Sequence, residues 1–268
     1  MPSALQTNVL AFVALAALAA WLAVSLVERR RRLRLTWTQS FWYGVNYLVC
    51  RILWRARVDQ TLPVGPDAGA VIVANHRSSI DPCFIEIATN RVVHWMVAKE
   101  YFAYPGLGRF LRLAQSIPTS RGGIDTQATK MAIRYAENGG LVGIFPEGRI
   151  NRTPHLLLPG RSGAALIALK ARVPVVPCYI EGAPYDGTAL GSLLMPAKVT
   201  VQLGQPLDFS AYYGRENERE VLELVTRRML TAIATLAGQP DFQPQLAGRM
   251  RSAPAEVQAE RRNGSQAQ

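Results

Sequence analysis

Charge is scarce in this chain, and acidic charge scarcest. Of 268 residues only 18% are charged, with 19 Asp and Glu against 30 Lys and Arg. Hydrophobic residues make up 49%, which excludes a wholly disordered chain. Cysteine is rare too: Cys50, Cys83 and Cys178 are odd in number, far apart and form no CxxC pair. A disulfide framework or zinc cluster is therefore not expected. The three histidines, His76, His94 and His155, form no His-carboxylate cluster at metal-ligand spacing, so no metal is expected. Neither GxGxxG nor GxxxxGK(S/T) occurs, so no bound nucleotide cofactor is expected. There is no GxSxG elbow, and no RRM or KH motif. A mean hydropathy of +0.06 argues against a polytopic membrane protein.

What is present is an excess of basic charge, and its position is informative. The net charge is +11. Residues 1–60 hold eight arginines against Glu28 and Asp59, more than half of the excess in under a quarter of the chain. Most follow an apolar run over 9–27, nineteen residues of which seven are alanine and Ser25 is the one polar side chain. As a helix this run is about 28 Å long, close to a hydrocarbon core of roughly 30 Å. A secretory signal peptide would carry its basic residues before the run, but residues 1–8 contain none. The positive-inside rule places Arg29–Arg32 in the cytoplasm. These features predict an N-terminal anchor with its basic flank over 1–34 and a partner bilayer, rather than nucleic acid.

Residues 35–60 form a second unusual segment. Trp37, Phe41, Val45, Leu48 and Ile52 recur at helical spacing, with Trp42, Tyr43, Tyr47 and Trp54 adding aromatic mass. Such a stripe is either a core-facing helix side or a helix lying in a membrane interface. The Pro- and Gly-rich stretch after it reads as a linker into a domain over 61–238. There, short β-branched runs at 70–74, 92–97, 115–118, 141–145, 175–180 and 199–203 read as strands. Helical patterns occupy 82–88, 107–113, 126–138, 162–171 and 216–236. This alternation predicts an α/β fold, a mixed and largely parallel sheet covered by helices. The Pro- and Gln-rich tail, 239–268, is expected to be disordered or loosely docked.

Three clusters stand at predicted strand ends, where α/β proteins place ligands. The first is Asn75-His76-Arg77-Ser78-Ser79-Ile80-Asp81. An imidazole whose other nitrogen meets a carboxylate can act as a general base near neutral pH. A bland reading stays open, with Asp81 only capping its helix and His76 an ordinary loop residue. The second is Phe145-Pro146-Glu147-Gly148-Arg149, with Arg152 beyond, which suits an anionic substrate or else is a solvated turn. The third is Ser120-Arg121-Gly122-Gly123, where glycines allow close backbone approach to a ligand. Arg161 opens a helix that could also receive an anion. His94, inside a strand, reads as a packed histidine.

Taken together, the stretch from Val71 to Leu203 resembles the 1-acylglycerol-3-phosphate O-acyltransferase family, the glycerolipid acyltransferases of the PlsC type. The family's Asn-His-x4-Asp block matches Asn75-His76 and Asp81. Its Arg-ended second block falls on Arg121. Its Phe-Pro-Glu-Gly block matches Phe145 to Gly148, and its Val-Pro-x-x-Pro strand matches Val173 to Pro177. Arg149 follows where the family has Thr-Arg, one position early. The resemblance implies that His76 and Asp81 are a catalytic dyad and that Arg121, Glu147, Gly148 and Arg149 line the acceptor site. Lys99 and Arg161 are weaker candidates for anionic groups. It implies an acyl thioester donor, acyl-CoA or acyl-carrier protein, a lysophospholipid acceptor, no cofactor, and a catalytic domain on the cytoplasmic side of the inner membrane. A different lysolipid acceptor, or a non-catalytic lipid-binding protein of the same fold, are the competing expectations.

Overall fold

The computed structural model describes residues 4–32, 35–120, 125–185 and 191–248. The strands are β1 (Arg57–Val58), β2 (Ala70–Ala74), β3 (Val93–Ala98), β4 (Ile117–Thr119), β5 (Leu141–Ile144), β6 (Val175–Glu181) and β7 (Thr200–Leu203). They form one sheet in the order β1-β7-β6-β2-β5-β3-β4. Every described pairing is parallel except β6 with β7. The sheet is thus mixed and largely parallel, as the strand–helix alternation implies. Successive side chains of a strand face opposite ways, and β2 uses this to build two cores. Val71 and Val73 join the alanines and leucines of α5 (Thr126–Glu137), α6 (Gly163–Ala171) and α7 (Arg219–Leu236). Ala70, Ile72 and Ala74 join Trp54 and the α3 helix (Asp81–Thr89), through Phe84 and Ile85. On α5 the buried positions Ala128, Ala132 and Ala136 fall four apart, so small side chains let this helix lie close to its neighbours.

Two boundaries differ from the sequence reading. β1 lies inside the 35–60 segment and pairs with β7, Arg57 opposite Thr200, so the sheet begins before the expected start at 61. The motif was too short to carry a periodic signal. At the other end, residues 239–248 are docked. The Gly160 N–H donates to the Gln245 carbonyl, and the Ala247 N–H donates back to Gly160, both at 2.9 Å. Backbone pairing needs no side-chain pattern, which is why composition suggested a loose tail. The tail from 249 on lies outside the described residues.

The N-terminal arm comprises α1 (Ala4–Arg32) and α2 (Trp37–Ile52), and α4 (Leu107–Leu113) lies between β3 and β4. Thr36 caps α2 reciprocally with Gln39: its hydroxyl accepts from the Gln39 N–H, and the Gln39 side chain accepts from the Thr36 N–H. Among the described residues no helix is long and apolar enough to cross a membrane. The spanning anchor expected over 9–27 is therefore not found, and seven alanines dilute the apolar surface of that stretch. Phe12 and Trp21 are nonetheless 74% and 64% exposed. On α2 the helical stripe faces outward: Trp37, Phe41, Leu48 and Ile52 are all more than half exposed. The side that packs is Ser40, Tyr43 and Cys50. It is held to α3 by Tyr43 Oη on the Glu86 carbonyl at 3.3 Å and by the Asn46 amide on the Cys83 carbonyl at 3.1 Å. The core-facing reading of the stripe is thus wrong: the side that packs on α3 is the one carrying Tyr43, Asn46 and Cys50, whose polar atoms find backbone carbonyls there.

Candidate active site

Parallel pairing of β2, β5, β3 and β4 brings their carboxyl ends to one edge of the sheet. Asn75 leaves β2 at this edge and is buried. Its side-chain amide donates to the Ile180 carbonyl and accepts from the Ile180 N–H, both at 2.8 Å. Asn75 therefore mimics one more ladder pair with β6 and sets the direction in which the chain leaves the sheet.

His76 comes next, and its Nδ1 lies 2.9 Å from Asp81 Oδ2. A carboxylate only accepts, so this contact assigns the proton to Nδ1 and makes Nε2 the ring's acceptor. The imidazole is 17% exposed and the Asp81 side chain is fully buried. Asp81 Oδ2 also accepts the N–H groups of Arg77 at 2.7 Å and Ser78 at 2.8 Å. Its other oxygen, Oδ1, is buried with no hydrogen-bond partner among the described residues. Asp81 was expected to cap α3, but Ile80 stands at the cap and Asp81 is the first helical residue. Its carboxylate closes the preceding turn instead, and that is how residues five apart come to meet. Ser78 is no nucleophile partner for the ring: its hydroxyl donates to the Pro184 carbonyl.

Glu147, in the turn after β5, is 3% exposed. One oxygen accepts the His76 N–H and the other the Leu158 N–H, each at 2.8 Å. Burial raises its pKa above the usual carboxylate value, and these two N–H groups oppose that rise. The sequence reading has Glu147 lining the acceptor site; here the carboxylate ties the histidine's backbone to the 156–161 loop. Gly148 turns the chain at φ 67°, where a Cβ would sit 3.2 Å from Arg161 Nε. This brings Gly148 and Arg161 together, with the Arg161 N–H bonded to the Pro146 carbonyl at 2.9 Å. Arg149 and Arg161 are exposed beside this turn, and Lys99 is exposed where β3 ends. Arg121 lies outside the described residues, directly after the segment that continues β4.

Sequence reasoning missed Arg77 and Asn151. The Arg77 guanidinium donates to the carbonyls of Asn151, Thr153 and His155, the latter two at 2.6 and 2.7 Å. Asn151 is buried, and its N–H donates to the His76 carbonyl at 2.7 Å. Together they fasten the loop carrying Arg149 and Arg152 to the histidine turn. An arginine between a histidine and an aspartate at a strand end was the available signal. His94 is packed, as expected: its ring stacks on Tyr135 with centroids 3.7 Å apart, and burial lowers its pKa.

A buried carboxylate, an oriented imidazole and exposed guanidinium groups around one edge suit removal of a proton from a hydroxyl on an anionic substrate. The chain also resembles known proteins in sequence and fold. The sequence model of the family described as Acyltransferase matches residues 55–181. The chain is 29% identical over 168 residues to the 1-acyl-sn-glycerol-3-phosphate acyltransferase of Bacillus subtilis (strain 168), covering 61% of this chain and 80% of that protein. It is 30% identical over 142 residues to the enzyme of the same name from Limnanthes douglasii, covering 52% of this chain and half of that protein. Its fold resembles the crystal structure of the 1-acyl-sn-glycerophosphate (LPA) acyltransferase PlsC from Thermotoga maritima. That likeness has a TM-score of 0.53 at 23% identity and covers 69% of this chain and 75% of the other.

Proposed function

Because this chain belongs to the PlsC-type family of glycerolipid acyltransferases, we propose that it acylates 1-acyl-glycerol-3-phosphate from an acyl thioester, with His76 as general base. The observation that carries this is the His76–Asp81 contact at 2.9 Å at the carboxyl edge of the sheet. His76 Nε2 takes the proton of the acceptor's free hydroxyl while Asp81 steadies the imidazolium. The hydroxyl oxygen attacks the thioester carbonyl, and the tetrahedral intermediate expels the thiolate. The imidazolium returns the proton to the thiolate, so one ester forms, one thioester breaks and the enzyme is unchanged. Arg121, Arg149 and Arg161 would hold the acceptor phosphate, for which a guanidinium fork is suited. Acyl-CoA and acyl-carrier protein both meet the requirement for a thioester donor.

The N-terminal arm supports attachment to the inner membrane with the catalytic domain on its cytoplasmic side. Outward Trp, Phe and Leu side chains of α1 and α2 are accompanied by arginines, Arg30 lying over the Trp37 ring at 4.4 Å and Arg51 over the Tyr47 ring at 5.4 Å. Apolar side chains enter the acyl region while the cations meet anionic headgroups. A lysolipid carries a long acyl chain, and an enzyme at the interface need not draw it into water.

A second reading is the same chemistry on a different lysolipid. It is favoured by Arg149 standing one position early relative to the family's Thr-Arg. The test is an acceptor panel with purified protein in detergent, following thiol release and product mass. Thiol release with lysophosphatidic acid well above other lysolipids is expected. Release only with another lysolipid selects the second reading, and release with none overturns both.

A further inference from the structure

The Asp81 bond holds one atom of the His76 ring, but a single hydrogen bond tolerates a range of angles, so it does not by itself fix the ring plane. A second constraint is present. The Phe145 ring lies against the imidazole with centroids 3.9 Å apart and planes 8° from parallel. Behind Phe145, the Trp95 ring stacks at 4.8 Å and 15°. His76 and Phe145 stand just past the ends of the neighbouring strands β2 and β5, Trp95 lies in β3 beside them, and the three rings form one stacked series.

The register explains how Trp95 reaches this place. Trp95 pairs with Gly143, and Phe145 is two residues further on, hence on the same face. The indole can lie flat across β5 only because residue 143 has no side chain: a Cβ there would come within 2.5 Å of the ring. Trp95 is 4% exposed, and its indole Nε1 is buried without a hydrogen-bond partner among the described residues. A residue serving only to fill the core would avoid that unpaired donor, as a leucine or phenylalanine does.

We propose that Trp95 is a positioning residue: through Phe145 it holds the plane of the His76 imidazole so that Nε2 faces the acceptor hydroxyl. The proposal rests on the general-base reading of His76 and goes beyond it. Trp95 itself does not touch the substrate. Its effect belongs to the chemical step, where small errors in angle or distance are costly.

The test uses the full chain in detergent, with Trp95→Leu, Trp95→Phe and Gly143→Ala. One readout is kcat against KM for both substrates. The other is the NMR signal of the His76 ring protons, which the aromatic face beneath them shifts upfield; it is assigned by its loss in His76→Gln and needs no turnover. Trp95→Leu is expected to lower kcat about tenfold to a hundredfold, to leave both KM values within about twofold, and to move the His76 ring signal downfield. Trp95→Phe restores most of kcat and of the signal. Gly143→Ala, which displaces the indole without removing it, reproduces the leucine variant and serves where that variant folds poorly. An unmoved ring signal with wild-type kcat in Trp95→Leu or Gly143→Ala overturns the proposal. So does a failure of Trp95→Phe to recover either readout. Activity persisting in His76→Gln instead overturns the general-base reading, whatever Trp95 does.

Discussion

At the carboxyl edge of the sheet, polar side chains are buried and committed: Glu147 spends both oxygens on backbone N–H groups, and Asp81 collects three donors on one oxygen. On the α1–α2 arm the opposite holds, and Trp37, Phe41, Leu48 and Ile52 are turned away from the protein. Each region departs from the ordinary rule of apolar inside and polar outside, in opposite senses. Burying polar groups costs free energy unless they are hydrogen-bonded. Exposing a contiguous apolar face is uneconomic in water unless something covers it. On the proposed function, the first departure holds the histidine in place and the second suits a lipid surface. The contrast would then separate chemistry from attachment, and each can be broken without the other.

The sharpest break is His76→Ala. Losing a general base typically removes about a hundredfold to ten-thousandfold in rate. Turnover should fall by that amount while melting temperature and liposome binding stay near wild type. Retained turnover would end the dyad reading. Glu147→Ala comes next and differs in kind. It leaves the buried N–H groups of His76 and Leu158 unpaired, at about 1–3 kcal/mol each. A lower denaturation midpoint together with lower kcat is expected. A variant with weakened acceptor KM and unchanged stability would return Glu147 to the acceptor site.

Much of the contrast was legible in the sequence, though unevenly. The strand-end position of His76 and its spacing to Asp81 suggested the pair because β2 is a short β-branched run bounded by a turn. The partners of Glu147 were not legible, since nothing local tells a carboxylate facing substrate from one facing two backbone N–H groups 11 and 71 residues away. The α2 stripe was visible as a period, but period does not tell which face packs. Only the contacts of Tyr43, Asn46 and Cys50 with α3 decide that. β1 and the pairing of Gly160 with the 245–247 segment are backbone events of two or three residues, too short for any side-chain pattern.

The two faces of α2 offer a smaller but cleaner comparison within one helix. Phe41→Asp with Leu48→Asp alters the outward face only. Their removal from lipid should lower liposome partitioning about tenfold to a hundredfold, with the melting curve little changed, as is usual at exposed sites. Tyr43→Asp, on the inward face, should unfold or strongly destabilise the protein instead. Equal binding by the double variant and wild type, measured by co-sedimentation, would remove the arm from the membrane account.

The smallest predicted effect tests the seam where arm and domain meet. Glu86 lies on α3 and its backbone carbonyl accepts from Tyr43 Oη; its carboxylate faces the Val93 N–H at a long 3.5 Å. Burial raises its pKa to about 7 from an ordinary 4.5. The folded protein thus holds a proton that the unfolded chain releases, so this group's contribution is most favourable at low pH. It is lost as pH rises from about 4.5 through about 7. Glu86→Gln removes the ionisation and keeps an acceptor for the Val93 N–H. Its stability relative to wild type should therefore rise by roughly 1–2 kcal/mol between pH 5 and pH 8, after allowing for solvent screening of a half-buried group. Denaturant midpoints at the two pH values check this. A difference independent of pH would mean that the carboxylate is ionised in both states, and that the seam between α2 and α3 is wetter than its packing indicates.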